Sequence, residues 1–328
     1  MIERATLLKI ARDSAAQRMA ARPSLVSAYL TGSVAANEPM LGEATDIDLI
    51  LIDAETPPAA REVVRLTDQV ALDLTYRTKA DYANPKSLRL HPWRGPEMCE
   101  PIFLHDPTHF FELAQSSARG QFHRPDHVAA RARTFALWAR DALHSGLLPG
   151  AEPSAPVTLA NLCQSLLYST NAVISLVAFP GAGRRLAMKL EAAALRLNRP
   201  ALYSSFLAMF ESGDTAAWLA SWSAAYHAAH SEMEELIHPA RRTIYERGFQ
   251  ALSQADRAAD GVWLMLYTWQ ALMRNLPGDS PHAEPWVAFL GTLRLASPAD
   301  FAAKVAQVRA YADLTSEMVE TWAEQNGA

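Results

Sequence analysis

AYLTGSVAANEPMLGEATDIDLILID (residues 28–53) and QVALDLTYR (residues 69–77) contain three short apolar runs that carry polar groups. Asp46 and Asp48 open the second run, and Asp73 lies in the middle of the third. Charged side chains are rare inside buried strands unless another group compensates them. The pattern therefore predicts a cluster of carboxylates on an otherwise apolar sheet, together with a group that compensates their charge.

Strand geometry predicts where these carboxylates lie. Residues two apart in a strand point to the same face, so Asp46 and Asp48 project together while Ile47 and Leu49 face the core. If the strand that carries Asp73 lies beside them, three anions share one surface and repel one another unless a divalent cation sits among them. Oxygen ligands without a nearby Cys or His favour Mg²⁺.

The first apolar run ends at Gly32-Ser33, which predicts a phosphate-binding turn. A glycine lets phosphate oxygens approach the backbone closely. The short helix expected after it offers backbone N–H groups to an anion. The turn and the carboxylates together suit a metal-bound phosphate compound.

In this order and context, the residues resemble the nucleotidyltransferase superfamily of DNA polymerase β. The closer likeness is to its small bacterial branch, which includes aminoglycoside adenylyltransferases. The resemblance covers about the first third of the chain, where Gly32, Ser33, Asp46, Asp48 and Asp73 match the motif. Many bacterial members have an Arg soon after Gly-Ser, whereas this chain continues Val-Ala-Ala-Asn-Glu-Pro, so that contact is missing or comes from elsewhere. The alternative interpretation is a turn glycine followed by three ordinary acids at strand edges.

The resemblance implies a Mg²⁺-dependent enzyme that moves a nucleoside monophosphate from an NTP, ATP first, to a hydroxyl group. Two metal ions would be held by Asp46, Asp48 and Asp73, and Ser33 would hold the β- and γ-phosphates. Asp73 would either ligate metal or take the proton of the acceptor hydroxyl. Two other classes remain open: a non-catalytic nucleotide-binding module, and a partner protein such as a toxin–antitoxin component.

Composition bears on the acceptor and on the compartment. The 328 residues include 30 Lys and Arg against 35 Asp and Glu, for a net charge of −5, which favours a small-molecule acceptor over a nucleic acid. Cys99 and Cys163 form no disulfide framework, the N-terminus lacks a signal-peptide pattern, and no apolar run is long enough for a membrane span. These features predict a cytoplasmic protein. The helical half, residues 119–328, contributes acidic side chains that would repel nucleic acid, among them Glu191, Glu211, Glu232, Glu234 and Glu235.

Hydrophobic periodicity predicts an α+β chain with two domains. Residues 1–118 form a catalytic domain with a mixed sheet and flanking helices, and residues 119–328 form an all-α helical bundle that binds the acceptor and walls the cleft. The first domain is expected to contain a helix over 3–21, strands up to Thr31, over 46–53, around Asp73 and over 102–104, and a brief helix over 59–66. Nine helices are expected in the second domain, over residues 125–145, 155–178, 184–197, 200–211, 214–237, 239–250, 258–276, 281–293 and 298–325.

Three patterns in the helical half allow more than one interpretation. Arg184 and Lys189 follow a Gly-rich turn at a helix start and would contact triphosphate, or belong to a solvated basic turn. A row of polar residues at helical spacing is either an exposed stripe or a metal site: His227, His230, Glu234 and His238. Tryptophans among Ala and Leu predict core packing: Trp138, Trp218, Trp222, Trp263 and Trp269.

Overall fold

The chain divides into two compact units. The first unit joins Met1–His127 with His238–Gly248, and the second joins Val128–Ile237 with Phe249–Ala328. The predicted functional boundary between residues 118 and 119 stays a prediction. The computed structural model describes residues 2–38, 40–57, 59–146, 152, 155–210, 214–231, 239–254 and 257–328.

The fold is α+β, with a five-stranded mixed sheet in the first unit. The strands run in the order β3-β4-β2-β1-β5, and only the central β2–β4 pair is parallel among the neighbouring pairs. Their bounds are β1 (Leu25–Thr31), β2 (Thr45–Asp53), β3 (Arg61–Arg65), β4 (Val70–Thr78) and β5 (Ile102–His105).

The described helices match those predicted over residues 3–21 and after residue 125, whereas the helix at residues 110–119 was not predicted. In the N-terminal part they are α1 (Arg4–Ala21), α2 (Gly32–Ala35), α3 (Pro85–Leu90), α4 (Arg94–Cys99) and α5 (Phe110–Arg119). Within the described residues, the nine helices expected after residue 125 are confirmed, most with shifted ends: α6 (Pro125–Gly146), α7 (Pro156–Ile174), α8 (Leu186–Arg196), α9 (Ala201–Ala208), α10 (Thr215–Ser231), α11 (Pro239–Gln254), α12 (Ala258–Met273), α13 (Ala283–Thr292) and α14 (Pro298–Asn326). The last part of the helix expected over 214–237, residues 232–237, lies outside the described residues. None of the helices in the described ranges is long and apolar enough to cross a membrane.

The sheet buries different side chains on its two faces because strand residues alternate. On one face, Ile47, Leu49 and Leu51 of β2 belong to a core that includes Leu7 and Ala11 of α1. The opposite face carries a second core, whose buried members are Tyr29, Ile50, Ile52, Tyr82, Leu88, Met98, Phe111, Ala114 and Ala118. The even-numbered residues of β2 therefore lie on the second face, and Asp46 and Asp48 lie there too.

The predicted helix over 59–66 is wrong, because this segment contains the edge strand β3. Arg61–Arg65 pairs antiparallel with β4, and Val63 lies opposite Asp73. Two successive valines favour an extended backbone, since branching at Cβ restricts their rotamers in a helix. The turn into β4 is fixed by Thr67, whose hydroxyl accepts hydrogen bonds from two following backbone N–H groups at 3.1 and 3.0 Å.

The second unit has an aromatic core. Trp263 and Trp269 of α12 are fully buried, as predicted, whereas Trp138, Trp218 and Trp222 are partly buried. The indole N–H of Trp263 donates to the carbonyl oxygen of Gly183 at 3.0 Å, which satisfies its one polar group inside the core.

Candidate metal and phosphate site

The three predicted carboxylates come together on the second face of the sheet. Asp48 of β2 lies directly beside Asp73 of β4 in the parallel register, and Asp46 lies beside Ala71. One carboxylate oxygen from each aspartate lies within 4.8 Å of the others. Within the described residues, this is the one group of three or more His, Cys, Asp or Glu side chains with such a spacing.

Local sequence explains why Asp46 and Asp48 stay clear of the core. Ile47 and Leu49 take up the α1 side of β2, so Asp46 and Asp48 are partly exposed on the other side. In the register, the acids lie between Ala71, which packs against Ile244 of α11, and Ile50, which belongs to the Tyr29 core. Apolar contacts thus flank the acids on both sides along the strands, and the acids form a polar patch on this face of the sheet.

Gly32 is required beside Asp48 for two reasons. Its φ of +71° lies in the left-handed region, which residues with a Cβ adopt at a cost. A Cβ at this position would lie 1.9 Å from Oδ2 of Asp48. Because Thr31 is paired with Asp48 across β1 and β2, the turn that follows β1 reaches the carboxylate directly.

Ser33 lies in the first turn of α2, where backbone N–H groups have no partner inside the helix. Its hydroxyl lies 3.4 Å from that of Thr45 at the start of β2. Arg4 holds the other end of α2, because its guanidinium donates to the carbonyl oxygens of Val34 and Ala35 at 3.0 and 2.9 Å. The turn is therefore anchored from both neighbouring elements.

Arg61 is a site residue that the sequence analysis missed. Its Nε donates to Oδ1 of Asp73 at 2.6 Å, and its Nη2 donates to Oδ2 of the same carboxylate. The hydrogen bond to Asp73 raises the pKa of Arg61, burial opposes this, and the charges of Asp73 and Asp48 raise it further. A helix over residues 59–66 would not place Arg61 beside Asp73, so the contact was not predicted. The adjacent Val63 and Val64 were the signal in the sequence that favours a strand.

Arg77 lies four residues beyond Asp73 on the same face of β4. It is mostly buried, with Nη2 2.7 Å from Oε2 of Glu97 and Nη1 donating to the hydroxyl of Tyr29 at 3.3 Å. Burial alone lowers the pKa of Arg77, but Tyr29, Glu97 and Tyr82 raise it, and the net shift is upward. This arginine therefore ties β4 to α4 and β1.

The two predicted cations of the helical half lie in the second unit. Arg184 lies in a 3₁₀ turn and Lys189 lies in α8. The Nζ of Lys189 donates to the carbonyl oxygen of Pro180 at 3.3 Å. The Gly-rich turn is itself pinned by buried Asn171, which accepts from the N–H of Gly181 at 2.7 Å and donates to its carbonyl oxygen at 3.0 Å. A phosphate contact by Arg184 and Lys189 stays a prediction.

The predicted exposed stripe is wrong at His230, which is 1% exposed. Its ring lies 4.3 Å from that of Tyr226, and the ring of His227 lies 6.0 Å from that of Phe249, so both histidines border an aromatic core. The rest of that stripe, Glu234 and His238, lies outside the described residues. Three of the other acids named for the helical half also lie outside them: Glu211, Glu232 and Glu235.

Comparison with family models and with curated proteins adds no relative. No family model and no curated protein matches this chain. The resemblance to nucleotidyltransferases therefore stays an expectation from the motif residues Gly32, Ser33, Asp46, Asp48 and Asp73.

The carboxylate group fits a divalent cation. Mg²⁺ binds oxygen ligands at about 2.0–2.1 Å, so ligand oxygens on one ion lie up to about 4 Å apart. Small rotations of the Asp46 and Asp48 side chains would bring oxygens that are within 4.8 Å to this separation. Asp46, Asp48 and Asp73 could hold such an ion, and their purely oxygen donor set suits Mg²⁺ better than a thiophilic metal.

Proposed function

We propose that this chain is a Mg²⁺-dependent nucleotidyltransferase. It moves the nucleoside monophosphate of an NTP, with ATP the first candidate, to a hydroxyl of a small molecule and releases pyrophosphate. The observation that carries the proposal is the side-by-side placement of Asp48 and Asp73 on parallel strands, with Asp46 within 4.8 Å and Gly32 against Asp48. This combination supplies a metal-binding face and a backbone turn for phosphate at the same spot.

Each residue has a role in that reaction. Bound divalent cations would neutralise the charge that develops on the attacking and leaving oxygens. Asp46 and Asp48 would hold the divalent cation, and the N–H groups at Gly32 and Ser33 would bind the β- and γ-phosphates. A bond forms between the acceptor oxygen and the α-phosphorus while the bond to pyrophosphate breaks. Asp73 either completes the ligand set or takes the hydroxyl proton.

The proposal is tested by following pyrophosphate release. The purified chain is incubated with each NTP and Mg²⁺, with and without polyhydroxylated and cationic acceptors, an aminoglycoside first and a protein hydroxyl second. We expect release that depends on both metal and acceptor. Absence of release with every NTP and acceptor class, from protein that binds Mg·NTP, would favour the second candidate described next.

A non-catalytic nucleotide-binding protein is the second candidate because Arg61 already engages both oxygens of Asp73. A carboxylate held in this way is restrained as a metal ligand and as a proton acceptor. Such a protein would bind Mg·NTP with a stable one-to-one stoichiometry and return it unchanged. Recovery of intact NTP after long incubation separates it from a transferase.

The acceptor is predicted to be small because the chain lacks the excess positive charge that nucleic acids require. Neutralising several phosphates gives binding that falls steeply with salt. With 30 basic and 35 acidic residues, the chain should give no shift of RNA or DNA in a gel at low salt. Tight, salt-sensitive binding of either polymer would contradict a small-molecule acceptor.

Ser33→Ala is expected to reduce turnover more than stability. The hydroxyl makes one long contact with Thr45 at 3.4 Å, so its loss should change the melting temperature by no more than about 2 °C. A hydrogen bond to a charged phosphate contributes about 1.5–3 kcal/mol, so kcat/KM for the NTP should fall about 10- to 100-fold. Steady-state kinetics and thermal melting measure the two effects. A drop of several degrees with unchanged kinetics would make Ser33 a purely structural residue.

A further inference from the structure

The cluster of Asp46, Asp48 and Asp73 already has a cationic partner from the same chain, Arg61. Arg61 and Asp73 form a two-pronged ion pair in which both carboxylate oxygens accept hydrogen bonds. Such forked pairs are among the strongest side-chain hydrogen bonds. Arg61 of β3 lies opposite Thr75 of β4. Its side chain therefore reaches diagonally to Asp73, which is two residues before Thr75 on β4.

The two partners differ in how easily they can move. The side chain of Asp73 is 3% exposed and belongs to the inner strand β4, whereas that of Arg61 is 47% exposed and belongs to the edge strand β3. The carboxylate is therefore fixed, and the guanidinium can leave it for solvent or for another anion. An exposed arginine on an edge strand needs no rearrangement of the sheet to do so.

A divalent cation and Arg61 compete for the same oxygens. A metal ligand must bring a lone pair to about 2.0–2.1 Å from the ion, and the guanidinium already uses a lone pair on each oxygen. Two cations on one carboxylate also repel each other at short range. An ion held through Asp46 and Asp48 alone avoids this conflict, whereas an ion that includes Asp73 does not.

We propose that Arg61 is a displaceable counter-ion of Asp73. A divalent cation must replace Arg61 at that carboxylate, and Arg61 then binds the triphosphate. This inference rests on the proposed function. A triphosphate is the natural new partner, because guanidinium groups fit phosphate oxygens with the same fork that they use for carboxylates. Arg61 is thus a substrate-binding residue that exchanges a carboxylate for a phosphate as the substrate complex forms. It also supplies a cation to a site whose Gly-Ser turn is followed by no arginine in residues 34–39.

The first test measures Mn²⁺ binding alone, by calorimetry, on the full chain. Arg61→Ala should bind Mn²⁺ about 10-fold more tightly than the unchanged protein, because the competitor for Asp73 is gone. Arg65→Ala is the matched control: Arg65 lies on the same strand, is 48% exposed, and pairs with Asp68 instead. It should leave Mn²⁺ affinity unchanged. Arg61→Asn, a neutral side chain too short to reach as far, replaces Arg61→Ala if the alanine variant does not fold.

The second test measures binding of a non-hydrolysable NTP analogue at saturating Mn²⁺. Arg61→Ala should bind the analogue about 10-fold more weakly, and Arg61→Lys should recover part of the loss by keeping the charge without the fork. A merely structural ion pair would not produce opposite shifts for metal and nucleotide. These opposite shifts are the signature of the exchange.

The outcomes separate the inference from the proposed function. Equal or weaker Mn²⁺ binding by folded Arg61→Ala overturns the inference, as does unchanged analogue binding. If the opposite shifts occur but no NTP gives pyrophosphate, the exchange stands and the transferase activity fails. If neither the unchanged protein nor Arg61→Ala binds Mn²⁺, both the inference and the proposed metal site are overturned.

Discussion

Asp48→Asn is expected to abolish joint binding of Mg²⁺ and NTP while the fold survives. Asp48 is the central member of the group, beside Asp73 in the register and two residues from Asp46. Outer partners of metal ligands already contribute about 10- to 100-fold to metal affinity, so loss of a direct ligand should cost about 100-fold or more. The isosteric amide also removes one of three repelling charges, so the free energy of unfolding should not fall.

Calorimetry with Mn²⁺ and an NTP analogue measures the loss, and thermal melting measures stability. Asp13→Asn is the control, since Asp13 is an exposed acid of α1 that pairs with Lys9 in an i,i+4 contact. That variant should keep both affinities. If Asp48→Asn binds the metal–nucleotide pair as tightly as the unchanged protein, the carboxylate group is not the metal site.

Gly32→Ala is expected to lower both metal affinity and stability. The left-handed backbone at φ +71° costs an alanine about 1–2 kcal/mol. The new Cβ would also overlap Oδ2 of Asp48, the mobile end of that side chain, so the carboxylate must turn away from its neighbours. Metal affinity should therefore fall by at least about 10-fold, since a ligand held out of place is lost in part.

Gly327→Ala separates the two causes. Gly327 has a φ of +70°, and no atom of the described residues lies within 4 Å of the position that a Cβ would take, so its substitution carries the backbone cost without crowding. That variant should melt earlier and bind Mn²⁺ normally. Full Mn²⁺ affinity in Gly32→Ala would show that the close approach of the turn to Asp48 has no part in binding.

The elements of this protein were predictable where the signal is local. The alternation Asp46-Ile47-Asp48-Leu49 determines which side chains share a face, because the two-residue period belongs to any strand. Helix positions after residue 125 follow in the same way from apolar spacing and from Pro and Gly at the ends. These properties need only a few neighbouring residues.

Short segments with mixed signals were not predictable. Residues 61–65 carry two prolines upstream and charged residues at both ends, which suits a helix start as well as an edge strand. Pairing with β4 decides between them, because ladder hydrogen bonds to another strand are gained only in the folded sheet. His230 is a similar case, since a spacing that suits an exposed stripe is overridden by packing against Tyr226.

By itself, the sequence determined that Asp46 and Asp48 share a face and that Gly32 ends the first strand beside a polar turn. Only the tertiary structure decided that Asp73 lies next to Asp48, that Arg61 holds Asp73, and that residues 238–248 belong to the first unit. The physical reason is range. Side-chain direction follows from the backbone period of one element, whereas contacts between elements depend on which strands pair and which surfaces are buried together.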